Sequence, residues 1–422
     1  MGPFGVSRAV GVLLVAAWLG VPGAAHALCD WEVKGRVQVK ESEMEGVERV
    51  RNLAGVKIRV LGSLLKSGGF VIWGTTSTNS SGYFSFDSRR VCSQHNLRVQ
   101  VRLDDSNLQV ANPGGEEWMT IYTTPSKRGS GTLQIGSRVF DDDVSGTLGA
   151  RGNVRRAITW YMVKTVQTRL AAEHDWLKYD RKIHVRYPAN TVGDVSYAEG
   201  ITMTAYIDVH GTSDAWDADT VLHEVMHLWN YQHNHGTTNW VSAVLHDGST
   251  HGFQEDPNVA FHEGFAEFAK DELLYNIWGR DKRLPRSRRG LATQDLVDLD
   301  VLDGSDRGVK YALYLLTSED VYGLRFGTDG QAGYGSVARR VPVGASCPAS
   351  PDLTLWDVML AFKGRDGTKW ERDWEVGRAG HGIYRFFDRI TDLNNRFSAS
   401  HKSRYLALLD PESSVEPSYW CP

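Results

Sequence analysis

Two histidines and the glutamate beside the first of them, His223, Glu224 and His227, sit in the apolar run VLHEVMHLW, and their types and spacing suit one kind of chemistry. On a helix, residues four apart lie one turn above each other and about 40° apart around the axis, so both imidazoles reach a single metal ion. Glu224 lies on the same side. Two nitrogen ligands, an open coordination position for water and a carboxylate placed to take that water's proton make the layout of a zinc hydrolase. The same short pattern arises in an amphipathic core helix whose histidines only hydrogen-bond to neighbours, so the surroundings decide between the two readings.

A catalytic zinc of this kind needs a third protein ligand. The next carboxylate-rich stretch with helical character is PNVAFHEGFAEFAKDELL, residues 257–274, in which Glu263 and Glu267 are four apart and share a face. Phe261, Phe265 and Phe268 supply apolar packing around that face. One carboxylate would ligate zinc, and the other would accept a hydrogen bond from the second ring nitrogen of a zinc-bound histidine, fixing its tautomer. His262 and His251 are the alternatives should Glu263 not ligate. Otherwise they read, with His233, His235 and His246, as solvated or hydrogen-bonded side chains.

HEVMHLWN followed by a helix carrying HEGFAEF resembles the gluzincin metallopeptidases, particularly the aminopeptidase-N-like and glycyl-aminopeptidase-like groups. In those, a helix with a pattern close to NEGFA-x-[YF] donates its first glutamate to zinc. The resemblance implies zinc as cofactor, Glu263 as third ligand, Glu267 as the outer carboxylate, Glu224 as general base, and a peptide or protein as substrate. Glu263 follows His227 by 36 residues, more than in many members, and residues 232–256 have the His, Asn, Gly and Thr content of an intervening loop. Two positions depart from the pattern. The family's tyrosine that stabilises the tetrahedral intermediate falls on Ser305, leaving Tyr311, Tyr314, Tyr322, Tyr334 and Tyr384 as unranked substitutes. In place of a GxMEN-like strand the chain has SYAEGITM, whose Glu199 is the one candidate for binding a substrate's amino terminus and otherwise reads as an edge-strand glutamate.

The elements that would hold such a site fit an exported two-part protein. Arg8, the apolar run AVGVLLVAAWLGV and the small-residue pattern Ala25-His26-Ala27 read as a secretory signal peptide, residues 1–27, whose removal takes the formal charge from −4 to −5. A secreted or periplasmic location is expected, without a membrane span after cleavage and without nucleic acid as a partner. Hydrophobic content of 41% and charged content of 23% suit a folded chain, and 422 residues allow two or three domains. Four cysteines in such a protein imply up to two disulfides, with Cys29–Cys92 and Cys347–Cys421 the simplest pairing.

Residues 30–135 alternate with period two in WEVKGRVQVK, VKIRVL, GYFSFD, LRVQVRL and EWMTIYTT, with turn signals such as Asn79-Ser80-Ser81-Gly82 between them. Residues 31–104 resemble the transthyretin-like or carboxypeptidase-regulatory-like module, which implies a spacer, folding-aid or adhesive role. After a linker at residues 140–149, RRAITWYMVKTVQTRLAAEH reads as an amphipathic helix, KIHVRYP and ITMTAYIDV as strands, and GVKYALYLLTSEDVYG, DLTLWDVMLAF and GIYRFFDRI as helices. Asp214, Asp217 and Asp219 lie where the metal-motif helix begins and favour its dipole. The expected fold is α+β: a β-sandwich over residues 28–139, then a zincin-type metallopeptidase domain over residues 140–422 with a helical C-terminal subdomain. Two other functions stay open: a secreted β-sandwich adhesion or binding protein with a structural or inactive zinc site, and a zinc hydrolase acting on bonds other than peptides.

Overall fold

The computed structural model describes residues 28–42, 44–63, 69–91, 95–114, 117–127, 131–189, 197–199, 205–210, 217–233, 257–280, 309–310, 313, 324–327, 337–340 and 354–360. It is a mixed α+β structure with a β-rich N-terminal region. The longest strand, β1 (Leu28–Glu41), buries every second residue from Trp31 to Glu41, as a strand with one face on a core must. Along one of its edges run β5 (Tyr83–Val91) and then β2 (Arg49–Asn52), both antiparallel, while β9 (Gly131–Phe140) runs parallel along the other. A second sheet has the order β4 (Val71–Ser77), β3 (Lys57–Ser63), β6 (His95–Arg102), β8 (Met119–Lys127). Trp31 of β1 meets Trp73 of β4 edge-on, with ring centroids 5.8 Å apart, so the two sheets share one apolar interior. Cys29 is disulfide-bonded.

The third sheet positions the candidate site. Its order is β11 (Tyr197–Glu199), β12 (Ala205–His210), β10 (Ile183–Ala189), β7 (Leu108–Ala111). Strand β10 runs parallel to both β12 and β7, whereas β11 is antiparallel to β12 and is at the edge of the sheet among the described residues. Strand β7 belongs in sequence to the N-terminal region, so the pairing with β10 crosses residues 139 and 140. The buried Asp104 secures the crossing: Lys57 lies 2.6 Å and Arg102 3.0 Å from its carboxylate, which also binds Lys182 just before β10. Burial alone would raise this carboxyl's pKa, and the bonds to Lys182 and Lys57 reverse that and hold it below its ordinary value.

Helix α1 (Arg151–Glu173) follows the 140–149 turns and is buried on more than one stripe, with Asn153, Arg156, Thr159 and Gln167 covered as well as the apolar residues. The reason is that it has neighbours on two sides. Trp160 Nε1 donates to Ala54 O in the N-terminal region at 3.0 Å, and Trp278 Nε1, far along the chain, donates to Tyr161 Oη at 3.3 Å. Helices α2 (Ala218–His233), α3 (Pro257–Trp278) and α4 (Leu355–Leu360) complete the described elements with the hairpin β13 (Leu324–Gly327) and β14 (Val337–Arg340). No helix among the described residues is long and apolar enough to cross a membrane.

Candidate metal centre

Helix α2 starts where an acidic cap stands ready. Asp217 accepts from Thr220 N at 2.8 Å through Oδ1 and from Thr220 Oγ1 at 2.7 Å through Oδ2, satisfying one of the amides left unpaired at a helix start. Val221, Leu222, Val225, Met226, Leu228 and Trp229 are buried around it. Its last turns are pinned by the 174–182 segment: Trp229 Nε1 donates to Leu177 O at 2.9 Å, and Gln232 both accepts from Asp180 N at 2.7 Å and donates to Lys178 O at 3.0 Å. His233 is packed between Trp176 and Trp229, 4.3 Å from each ring centroid.

Helix α3 is covered nearly all round from Ala260 to Leu274, so its polar residues lie in the interior and need partners there. Phe265 stacks on Trp229 at 5.7 Å and brings α3 against α2. Helix α3 ends at Gly279, whose φ of 70° lets the chain leave left-handed while its amide bonds Tyr275 O at 2.9 Å.

The packing brings together three ligand atoms that the sequence places 36 and 40 residues apart. His223 Nε2 and His227 Nε2 are 2.8 Å apart, and Glu263 Oε2 lies 3.2 Å from the first and 3.1 Å from the second. All three side chains are buried, and their ligand atoms lie within 4.8 Å of one another, so the group could hold a metal ion. Two imidazoles and one carboxylate form a donor set suited to zinc, among other borderline metals. Glu224 is buried beside His223 on α2.

Around the group, buried acidic and basic side chains face one another. His223 Nδ1 is 3.0 Å from Glu267 Oε1, an ion-pair contact whose angle is off that of an ideal hydrogen bond. Burial disfavours charge on His223, yet the hydrogen bond to Glu263 and the close contact with Glu267 outweigh it and lift its pKa to about 10. Glu263 and Glu267 are likewise opposed by burial but held far below the ordinary carboxylate range, Glu263 chiefly by His227 and Glu267 chiefly by His223. His262 is the reverse case: burial pushes it down to about 3, aided by the field of His227. Asn230 Nδ2 donates to His262 Nδ1 at 2.7 Å, and His262 is outside the converging group.

The expected residues His223, His227 and Glu263 are thus brought to one point, with Glu267 directly behind His223. Glu199 is placed on the edge strand β11, opposite Tyr206, and its side chain lies outside the described residues, as do His235, His246, His251, Ser305, all five candidate tyrosines, Cys92, Cys347, Cys421 and residues 1–27. Sequence reasoning passed over Lys270, Asp271 and Lys310, which ring Glu267. The four-residue step from Glu267 to Asp271 was the available signal for the acidic half of that cluster.

No protein-family profile matches the chain, and no curated protein matches it. Among solved structures, a 9R-lipoxygenase from Cyanothece PCC8801 aligns at 13% identity and a TM-score of 0.16, over 34% of this chain and 26% of that one. The shaft pilin SpaA from Lactobacillus rhamnosus GG aligns at 10% identity and a TM-score of 0.15, over 27% of this chain and 51% of that one. Overlaps so slight carry no argument about fold or function.

Proposed function

We propose that the protein is an exported zinc metallopeptidase of the gluzincin type. The observation that carries this reading is the convergence of His223 Nε2, His227 Nε2 and Glu263 Oε2 on one buried point. His223, His227 and Glu263 would hold the ion. Zinc, when bound, supplies Lewis acidity that polarises a carbonyl and acidifies water.

The chain's own residues have the other tasks. Glu224, beside His223 on α2, takes the proton of the attacking water and passes it to the leaving amine. Glu267 holds His223 by its Nδ1 and keeps Nε2 directed at the metal. His262, kept neutral, adds no charge to the site. Edge strand β11 offers backbone groups along which an extended peptide can pair. The disulfide at Cys29 favours an oxidising compartment, in keeping with export.

Metal analysis and peptide hydrolysis of purified wild type, Glu224→Gln and Glu263→Ala test the proposal. Wild type should hold one zinc and cleave peptides. Glu224→Gln should keep zinc and lose roughly 10²-fold or more in rate, because only the base is gone. Glu263→Ala should lose zinc. Zinc without hydrolysis of any peptide, ester or amide would point to a structural site, and hydrolysis confined to esters would point to a different hydrolase.

A further inference from the structure

Glu263, Glu267 and Asp271 recur every fourth residue along α3 and stack three carboxylates on one face of a covered helix. Like charges at that spacing repel, and the shortage of water sharpens the repulsion. Glu263 faces the two histidines. The other two carboxylates are met by lysines: Lys270 Nζ is 2.8 Å from Glu267 Oε2 and 3.7 Å from Asp271 Oδ1, and Lys310 Nζ is 2.9 Å from both Glu267 Oε2 and Asp271 Oδ2.

The two lysines differ in origin. Lys270 stands on α3 itself, whereas Lys310 arrives 43 residues after Glu267, between Val309 and Leu313, whose side chains are fully buried. The contacts on Glu267 also differ by oxygen. Lys270 touches both, at 3.0 and 2.8 Å; Lys310 touches Oε2, and the contact with His223 Nδ1 is through Oε1.

We propose that Lys310 is a positioning residue of the metal centre: it pins Glu267 through Oε2 so that Oε1 remains turned to His223 Nδ1, and it thereby joins the segment carrying residues 309–313 to the site. This rests on the metal-binding reading of His223, His227 and Glu263. Removing the ammonium group leaves Glu267 and Asp271 sharing Lys270, and among the described residues only His223 Nδ1, at Oε1, then meets the Glu267 carboxylate from outside the helix, with Oε2 held by Lys270 alone. Partners of this kind behind a ligating histidine typically change metal affinity by roughly 10–100-fold.

Zinc dissociation constants, measured by competition with a chromophoric chelator on the full chain, test the assignment in wild type, Lys310→Met, Lys310→Arg, Glu267→Ala and the double variant Lys310→Met with Glu267→Ala. Zinc binding should weaken by roughly 10-fold or more in Lys310→Met. Lys310→Arg should recover most of it, and Lys310→Met should add nothing once Glu267 is alanine. Wild-type affinity in a folded Lys310→Met protein overturns the proposal and leaves the metal centre standing. An equal loss with and without Glu267 shows that Lys310 acts through packing and also overturns it. Absence of zinc binding in wild type overturns the metal reading itself and the proposal with it. Should Lys310→Met fail to fold, Lys310→Gln takes its place under the same criteria.

Discussion

At His223 a metal ion would compete with a proton. Burial opposes the charged ring, but the hydrogen bond to Glu263 and the close contact with Glu267 raise its pKa to about 10, so the metal-free protein carries that proton through neutral pH. On the proposed zinc reading the ion would displace it, so apparent zinc affinity should rise with pH until about 10. Titration calorimetry at pH 8 in two buffers of different ionisation enthalpy should show release of about one proton or more per zinc bound. Buffer-independent heats would contradict the arrangement. The same shift has a stability sign: a raised folded pKa contributes stability that is fully present below the ordinary value of 6.5 and is lost as pH rises through about 10. The lowered pKa values of Glu263 and Glu267 contribute above their ordinary 4.5 and are lost as pH falls. Chelator-treated protein should therefore melt at its highest temperature between those limits and lose stability on the alkaline side. His223, His227, Glu263 and Glu267 were legible as candidates because spacing within one helix is a local property. The hydrogen bond between Asn230 and His262, and the reach of Lys310 to Glu267, depend on how separate segments pack and leave no local mark.

Strands and turns differ in how plainly they are written. The alternation in WEVKGRVQVK marks β1 because one face is buried and the other is not. Strands β2 and β7 are four residues each, too short for a period to show, and β9 is interrupted by Gly136. The turn before β5 is legible and its chemistry visible: Asn79 Oδ1 accepts from Ser81 N and Tyr83 N, both at 3.0 Å, and Gly82 adopts φ +73°. A Cβ at Gly82 would also stand 2.6 Å from Val37 O. Gly82→Ala should cost roughly 1–3 kcal/mol from the left-handed conformation alone, read as a lower denaturant midpoint with an unchanged slope. An unaltered midpoint would mean that the turn relaxes without cost.

The N-terminal sheets and the elements of the candidate site are joined by pairings and bonds that cross from one to the other. Strand β7 lies beside β10, Asp104 gathers Lys57, Arg102 and Lys182, and α1 bonds Ala54 on one side and Trp278 on the other. A single contiguous set of buried apolar residues runs from Trp31 through Trp160 to Phe265. Residues 140–422 expressed alone should then be poorly folded, because β10 loses its neighbour β7 and α1 exposes Trp160. Circular dichroism, solubility and zinc content of that fragment against the full chain measure it. A soluble fragment with full zinc content would show that the N-terminal region is a detachable spacer.

What the amino-acid order alone determined is what depends on near neighbours: the HEVMH pair one helical turn apart, the Glu263 and Glu267 face, the period of β1, β3, β6 and β8, and the cap at Asp217. Each follows from backbone geometry within a few residues. Tertiary packing decided the rest. It placed Glu263 Oε2 within 3.2 Å of both histidines, gave His262 to Asn230 instead of the candidate ligand group, brought Lys310 to Glu267, and took β7 from the N-terminal strands into the sheet with β10 and β12. These contacts span tens of residues, and such closures are selected by burial of apolar surface and by compensation of buried charge across the whole molecule.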